Sequence, residues 1–436
     1  MLDLRPLHSV GFRHIAAASL INEFGNWVGE IALAILVYDR THSPLATAVL
    51  FVSLRFLPAL LAPLLTTRVE VIPPRFALTT IFLFEAALFA VIAQVTEHRF
   101  SMPLVLALVA ADGVLAITGT ALARTVLATG LIRDGLLREG NSLLNLGAMV
   151  AVAGAPAVAG IVSAGNGAVD AVRIDAASFL VAAVILGSAT KLELHSDEGA
   201  GFVGRLQAGL GTLRTDPTVR RLLIAISLVI GLGAVAVPIE VVFATHTLHA
   251  GDIGYGLLLT SWGAGMIIGA LAFAGSRETQ LMTILGVSTV CEAVGYAGMA
   301  AAPSLVVACL FSCVGGIGNG AAWVAARTAM QQRLPVARQA AVMSVLEASN
   351  QITVALGFMA GGAVTALTSP RLAYAISAAG VAAVVAAFTV WPIDVAGSAS
   401  PEAVAIGDRS PGGEDTELQD NPVSGRRTSL PPATTR

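Results

Sequence analysis

The sequence predicts an all-α membrane protein with twelve transmembrane helices arranged as two six-helix halves. Of its 436 residues, 56% are apolar and only 12% are charged, and the mean hydropathy is +0.79. A soluble protein carries about 25% charged residues, so lipid must cover much of this apolar surface. The net charge of −3 is small and indicates no nucleic-acid partner.

Twelve apolar runs are long enough to cross a bilayer, which takes about 20 helical residues. Short breaks with turn residues separate them, such as Pro73-Pro74 and Ser369-Pro370. The runs cover residues 13–38, 44–67, 75–96, 103–130, 141–164, 168–190, 221–246, 254–275, 280–301, 304–332, 339–366 and 370–391.

Basic residues are unevenly distributed over the loops between these runs. One set of alternate loops, with the adjoining helix ends, holds sixteen Lys and Arg residues, and the other set holds three: Arg40, Arg99 and Arg371. Loops rich in Lys and Arg stay on the cytoplasmic side of a membrane. We therefore expect an inner-membrane protein with both termini in the cytoplasm.

The longest predicted cytoplasmic loop is a linker between two six-helix halves, and a tail follows the second half. Residues 1–190 form the first six-helix half and residues 221–391 the second. The linker 191–220 between them has apolar residues at helical spacing over 202–214, which predicts a helix on the membrane surface. The tail 392–436 lacks apolar periodicity, and we interpret it as disordered.

Two similar segments indicate an internal repeat. Ala123-Arg124-Thr125 closes the fourth run and Ala326-Arg327-Thr328 closes the tenth, and a Gly-rich run follows each of them. Parallel repeats of six helices around a midplane site are typical of transporters. The repeat therefore favours a transporter with two similar halves.

Further short motifs extend in order over nearly the whole membrane part. They are Leu36-Val37-Tyr38, Arg55 to Pro58, Gly140 to Leu143, Ile174 to Leu180, Asp216-Pro217 and Gly254 to Leu258. In this order and spacing the chain resembles the major facilitator superfamily, and within it the drug and siderophore exporters that include enterobactin-exporter-like and macrolide-efflux-like proteins. The resemblance implies alternating access around a central cavity that spans one, four and seven help to line.

The chain also departs from the superfamily pattern. The usual loop between spans two and three has a glycine and an acid that latch the inward gate, and here only arginines such as Arg68 remain. The arginine frequent in the middle of span four is absent, and Asp112 lies near its place. Span five keeps Gly154, Pro156 and Gly160 of a motif that implies antiport and export.

Span one carries a polar stripe of Glu23, Asn26 and Glu30, whose spacing places all three side chains on one helix face. Charges inside a membrane span are costly and mark functional candidates. We interpret Glu30, or Glu23, as a carboxylate that binds the coupling proton or a cationic substrate. The alternative is a structural ion pair between Glu30 and Arg55, which lies at a similar depth in span two.

Asp112 and Glu240 are further coupling candidates, because the resemblance places their spans beside the cavity. A buried hydrogen bond is the alternative for both carboxyl groups. Pro238 predicts a kink just before Glu240. Glu85 and Glu292 lie in spans that are peripheral in the superfamily, and there we expect hydrogen bonds between helices.

Arg124 and Arg327 occupy equivalent positions at predicted cytoplasmic helix ends, so we expect them to make gate or helix-end contacts. We saw no nucleotide-binding motif, nucleophile–base pair or metal-ligand set in the sequence, so an enzyme is the least supported class.

We therefore predict a secondary transporter that works as a monomer in the lipid bilayer without a cofactor or metal. It would export a hydrophobic or amphipathic small molecule, such as a drug, macrolide or siderophore-like compound, with protons as the coupling ion. One alternative is an importer or facilitator of the same fold. Another is a membrane sensor or assembly partner that transports nothing.

Overall fold

The computed structural model describes residues 4–69, 72–133, 135–189, 202–274 and 281–390, and every regular element in these ranges is helical. The first half contains α1 (Val10–Thr41), α2 (Pro44–Val69), α3 (Pro74–His98), α4 (Met102–Arg133), α5 (Leu137–Asn166) and α6 (Ala168–Ser188). The rest contains α7 (Phe202–Thr215), α8 (Pro217–Ala234), α9 (Glu240–Val242), α10 (Gly251–Ala274), α11 (Leu281–Ala301), α12 (Leu305–Arg333), α13 (Val336–Leu367) and α14 (Pro370–Val390).

The fold confirms the predicted all-helical membrane architecture. In the described part of the chain, 11 helices are long and apolar enough to cross a membrane, with α8 to Thr247 counted as one. Helix α6 contains three charged residues, Asp170, Arg173 and Asp175, and its 21 residues are enough for the predicted twelfth span. The predicted tail 392–436 and the linker residues 191–201 lie outside the described residues.

The helices run in alternate directions between two faces of the molecule. We call the face where α1 begins the Val10 face, and the face where α1 ends and α2 begins the Thr41 face. Large apolar side chains are exposed around the helices, including Ile161, Val184, Leu271 and Val306 at 61–70% exposure. Such a surface suits contact with lipid chains.

Local capping fixes where individual helices start and stop. The hydroxyl of Ser9 accepts a hydrogen bond from the Phe12 N–H at the start of α1. His42 ends that helix in a left-handed conformation with φ 49°, and its N–H donates to the Tyr38 carbonyl. The Asp216 carboxylate accepts from two N–H groups of α8, so this helix begins at Pro217, inside the predicted linker.

The seventh span is broken where Pro238 predicted a kink. Helix α8 ends at Ala234, and a 3₁₀ turn over Val237–Ile239 precedes α9. Proline has no N–H group to donate and its ring crowds the preceding helical turn, so a regular helix cannot continue through this position. Glu240 therefore begins the short helix α9, directly after the 3₁₀ turn.

Two helix pairs join the halves at close range. On α5 and α10, a methyl group added to Gly160 would lie 2.7 Å from the Asp252 carbonyl oxygen. On α2 and α13, a methyl group added to Gly362 would lie 2.6 Å from the Ala48 Cβ. These contacts lie toward the Thr41 face, where Tyr38 also packs on His246 with ring centroids 5.4 Å apart. The Thr41 face is therefore closed in this structure.

The predicted helix of the linker is present as α7, which packs on the Val10 face. Gly209 lies directly against the backbone of Ala341 on α13, at a distance that leaves no room for a side chain. Leu213 joins a small apolar core with Leu222 of α8 and Leu346 of α13. Helix α7 is therefore amphipathic, and it also packs against the second half.

Candidate functional site

Glu30 forms an ion pair with Arg55, the alternative that the sequence left open. One guanidinium nitrogen of Arg55 donates to both carboxylate oxygens of Glu30, at 2.8 and 2.7 Å. The side chains are 46% exposed for Arg55 and 17% for Glu30. The pair therefore joins α1 to α2 within the membrane region, and the charge of Glu30 is balanced.

The remaining members of the polar stripe make fewer contacts. Trp27 donates its indole N–H to Glu23 at 3.3 Å, one turn along the same helix. Glu23 and Asn26 are both half-buried. The stripe therefore lies on one face of α1, as predicted, and its strongest polar contact is the one that Glu30 makes with α2.

Glu240 is buried beside three tyrosines near the Thr41 face. Its side chain is 7% exposed, and its Oε2 atom has no hydrogen-bond partner among the described residues. Tyr255, Tyr296 and Tyr374 all interact electrostatically with it. A buried polar atom without a partner is costly, so Glu240 is suited to take up a proton or another positively charged group.

Tyr255 is a buried residue whose electrostatic surroundings include acidic groups of both halves. This residue of α10 is 2% exposed, and it interacts electrostatically with Glu240 of its own half and with Glu30 of the first half. Both predicted coupling carboxylates, Glu30 and Glu240, therefore contribute to the electrostatic surroundings of this phenol. In the sequence Tyr255 belongs only to the motif from Gly254 to Leu258, and its relation to Glu30 and Glu240 depends on residues that are distant along the chain.

Asp112 lies in a cluster of three buried acids inside the first half. Asp112 is 4% exposed, Glu85 and Asp175 are fully buried, and both Asp112 and Asp175 interact electrostatically with Glu85. Neither carboxyl oxygen of Glu85 has a hydrogen-bond partner within the described ranges, so the expected hydrogen bond between helices is not observed. Ser178 donates to one oxygen of Asp175 at 3.2 Å.

Glycines on α1 make room for one of these acids. A methyl group added to Gly25 would lie 2.6 Å from Oδ1 of Asp175, and one added to Gly29 would collide with Oδ2. Asp175 therefore fits into a notch in α1 instead of joining the exposed cluster at the start of α6. There Arg173 pairs with Asp170 at 2.7 Å, as its spacing predicts, and also with Glu97.

The predicted motif of span five lies at the junction of the halves. Gly160 faces the α10 backbone at Asp252 and Gly256, and the carbonyl of Pro156 also packs against Gly256. Gly154 faces another direction, because a methyl group added there would meet only Phe24, at an ordinary 3.6 Å. Gly160 and Pro156 thus contribute to the closure of the Thr41 face, and Gly154 contributes to packing inside the first half.

The predicted gate arginines are distributed over the Val10 face. Arg327 is exposed and its guanidinium lies 4.3 Å from the ring centre of Trp323, a cation–π contact. Arg124 is exposed near the end of α4. The side chain of Arg68 lies outside the described part of the structure, so its gate role stays a prediction.

Comparison with protein families gives one match along nearly the whole chain. The family model described as transmembrane secretion effector matches residues 2–407. Comparison with curated protein sequences found no match.

Solved transporter structures share this fold at low sequence identity. A variant of the nucleoside transporter NupG has a TM-score of 0.74 and 14% identity, over 88% of this chain and 99% of that one. A bacterial homologue of the iron transporter ferroportin, in an inward-facing state, has a TM-score of 0.69 and 15% identity, over 87% and 98%. A bacterial homologue of the lysosomal transporter Spinster has a TM-score of 0.67 and 14% identity, over 87% and 94%.

Proposed function

Because the chain belongs to the transmembrane secretion effector family of major facilitator superfamily transporters, we propose that it is a proton-coupled exporter. The proposed cargo is a hydrophobic or amphipathic small molecule, and the protein moves it by alternating access in the inner membrane. The observation that carries this proposal is Glu240, a buried carboxyl group whose Oε2 atom has no hydrogen-bond partner among the described residues. It lies near the Thr41 face, where the two halves meet.

Charge balance at this junction supports proton coupling. Glu30 has a cationic partner in Arg55, whereas Glu240 has an oxygen without any hydrogen-bond partner in the described ranges. A buried anion without a partner destabilises the state that contains it. In the proposal, a proton neutralises Glu240 in the closed arrangement, and its release accompanies the opening of the Thr41 face.

We place the Val10 face in the cytoplasm, on the basis of the Lys and Arg distribution over the loops. With the Thr41 face closed, the cargo would enter from the cytoplasmic side. Asp112 takes a second role in this proposal. It lies among the buried acids of the first half, where a change of its proton occupancy would alter the repulsion that it exerts on Glu85.

The test uses purified protein in liposomes with an imposed pH gradient. Proton flux is read with an enclosed pH-sensitive dye, and ethidium serves as the amphipathic probe. We expect ethidium movement and proton counter-flow, both abolished by a protonophore. Glu240→Gln and Asp112→Asn should lose the dependence on the gradient. Glu347→Gln is the matched control, since Glu347 is exposed and, among the described residues, accepts a hydrogen bond from Gln351 of its own helix at 3.3 Å.

Each outcome separates the proposal from its alternatives. Ethidium movement without proton flow would indicate a facilitator and contradict the coupling. Coupled movement of both solutes in the same direction would indicate import. Retention of full gradient dependence by Glu30→Gln, Asp112→Asn and Glu240→Gln alike would show that these carboxyl groups do not carry the proton.

A further inference from the structure

A cavity of about 270 Å³ lies in the second half, and Tyr255 and Glu240 are not among its lining residues. Helices α8, α11, α12 and α14 surround it in the part of the membrane nearer the Val10 face. Its walls are mostly apolar, and its polar side chains are Thr289, Glu292 and Asn319. Trp323 forms part of the wall and is 41% exposed, which places it where the cavity approaches the surface.

Glu292 closes the deep end of this cavity. It is 2% exposed, and its Oε1 atom accepts hydrogen bonds from Tyr296 and from Asn319, each at 3.3 Å. Its Oε2 atom has no partner among the residues that the structure describes, and no cationic side chain in those ranges pairs with it. Glu292 is therefore a buried acid without a cationic partner in the described ranges, and it lines the end of an apolar space.

In the first half, α1, α3, α4 and α6 correspond to α8, α11, α12 and α14, and Asp175 of α6 fills the notch at Gly25 and Gly29 of α1. A mostly apolar pocket with few polar groups favours an apolar ligand, and a buried carboxylate without a cationic partner favours a ligand that carries a positive charge.

We propose that this cavity binds a small apolar molecule that carries an amine, with the amine against Glu292 and the apolar part beside Trp323. The ligand is smaller than a typical drug, because pockets for drug-sized molecules occupy roughly 300–1,000 Å³. The proposal that the cavity binds an amine depends only on the geometry of the cavity. The proposal that small amines are a cargo of the protein rests on the transport function proposed above.

Gly286 provides a way to fill the cavity without disturbing Glu292. It lines the space, and a methyl group added to it would meet no atom within 4 Å. Gly286→Leu should therefore occupy the cavity with its side chain and leave the fold intact. Gly211→Leu on α7 is the matched control, because this helical glycine is equally open and lies outside the cavity lining.

The experiment measures binding of 2-phenylethylamine to the purified full-length protein in detergent, by calorimetry and without any gradient. We expect saturable binding with a Kd below about 1 mM. Glu292→Gln should weaken it roughly 10- to 100-fold, as expected when a hydrogen bond to a charged group is lost. Gly286→Leu should abolish it, and Gly211→Leu should leave it unchanged. The neutral analogue 2-phenylethanol should bind much more weakly and be insensitive to Glu292→Gln.

Three results would overturn the proposal: no saturable binding, unchanged binding in Gly286→Leu, or equal binding of the amine and the alcohol. The last would make the cavity an apolar space for lipid chains. If Glu292→Gln does not fold, the binding of 2-phenylethylamine to Gly286→Leu and the binding of 2-phenylethanol to the wild type still test the proposal. Binding here together with failed proton-coupled transport in liposomes would refute the proposed function and leave the site in place.

Discussion

The contact between α5 and α10 predicts that one methyl group will shift the balance between open and closed arrangements. In Gly160→Ala the new Cβ would lie 2.7 Å from the Asp252 carbonyl oxygen, well inside van der Waals contact. The obstructing atom belongs to the backbone, so it cannot rotate away. Overpacking of this kind costs about 1–3 kcal/mol, which corresponds to a roughly 5- to 150-fold change in an equilibrium constant.

This cost applies only while the Thr41 face is closed, so we expect the open arrangement to gain population. Gly154→Ala is the control. It lies in the same helix and shares any gain in helix propensity, but its added methyl makes only an ordinary contact at 3.6 Å. Opening can be followed by electron–electron distances between spin labels at Asn166→Cys and Ser304→Cys. These exposed positions lie at the Thr41 face, one in each half.

The expected result is a longer label distance in Gly160→Ala than in Gly154→Ala, with the wild type close to the control. The native cysteines, Cys291, Cys309 and Cys313, would first be replaced by alanine or serine. Identical distance distributions in the two glycine variants would refute the reasoning. They would mean that α5 and α10 absorb the methyl group without separating.

Two further predictions concern stability. Arg55→Ala leaves Glu30 without its partner and should destabilise the protein by about 1–3 kcal/mol, between the values for exposed and buried pairs; adding Glu30→Gln should recover part of the loss in thermal unfolding. A double variant no more stable than Arg55→Ala would contradict this. Gly29→Ala would displace Asp175 and should lower the unfolding temperature, by an overpacking cost of about 1–3 kcal/mol. Gly187→Ala should leave the unfolding temperature unchanged, because the nearest atom to the added methyl group is 3.7 Å away. An equal loss of stability in both variants would show that the space at Gly29 is not needed to accommodate Asp175.

Several features of the candidate site could be predicted from local sequence. Pro238 indicated the break before Glu240 because proline removes a backbone donor wherever it stands. The spacing of Glu23, Asn26 and Glu30 placed them on one face because helical periodicity is fixed. Asp175 was a harder case: Arg173, two residues before it, is charged and exposed, and only the notch made by Gly25 and Gly29 shows why Asp175 is buried.

Which side chains form hydrogen bonds with residues far away in the sequence could not be predicted in the same way. Glu292 and Glu85 have the same sequence signature, one acid in an otherwise apolar third span of each half. The structure gives Glu292 two donors and a cavity, and gives Glu85 no hydrogen bond among the described residues. The difference depends on which side chains the neighbouring helices present at that depth, which no local pattern encodes.

The sequence by itself determined the membrane environment, the number of spans and the position of the seventh-span break. These follow from the hydropathy and backbone chemistry of consecutive residues, which the fold does not alter. Only the tertiary structure decided that Arg55 balances Glu30, that Glu240 is buried without a partner for its Oε2 atom in the described ranges, and that an apolar cavity ends at Glu292. Such contacts depend on how closely helices approach each other, and that distance is set by small residues on both partners at once.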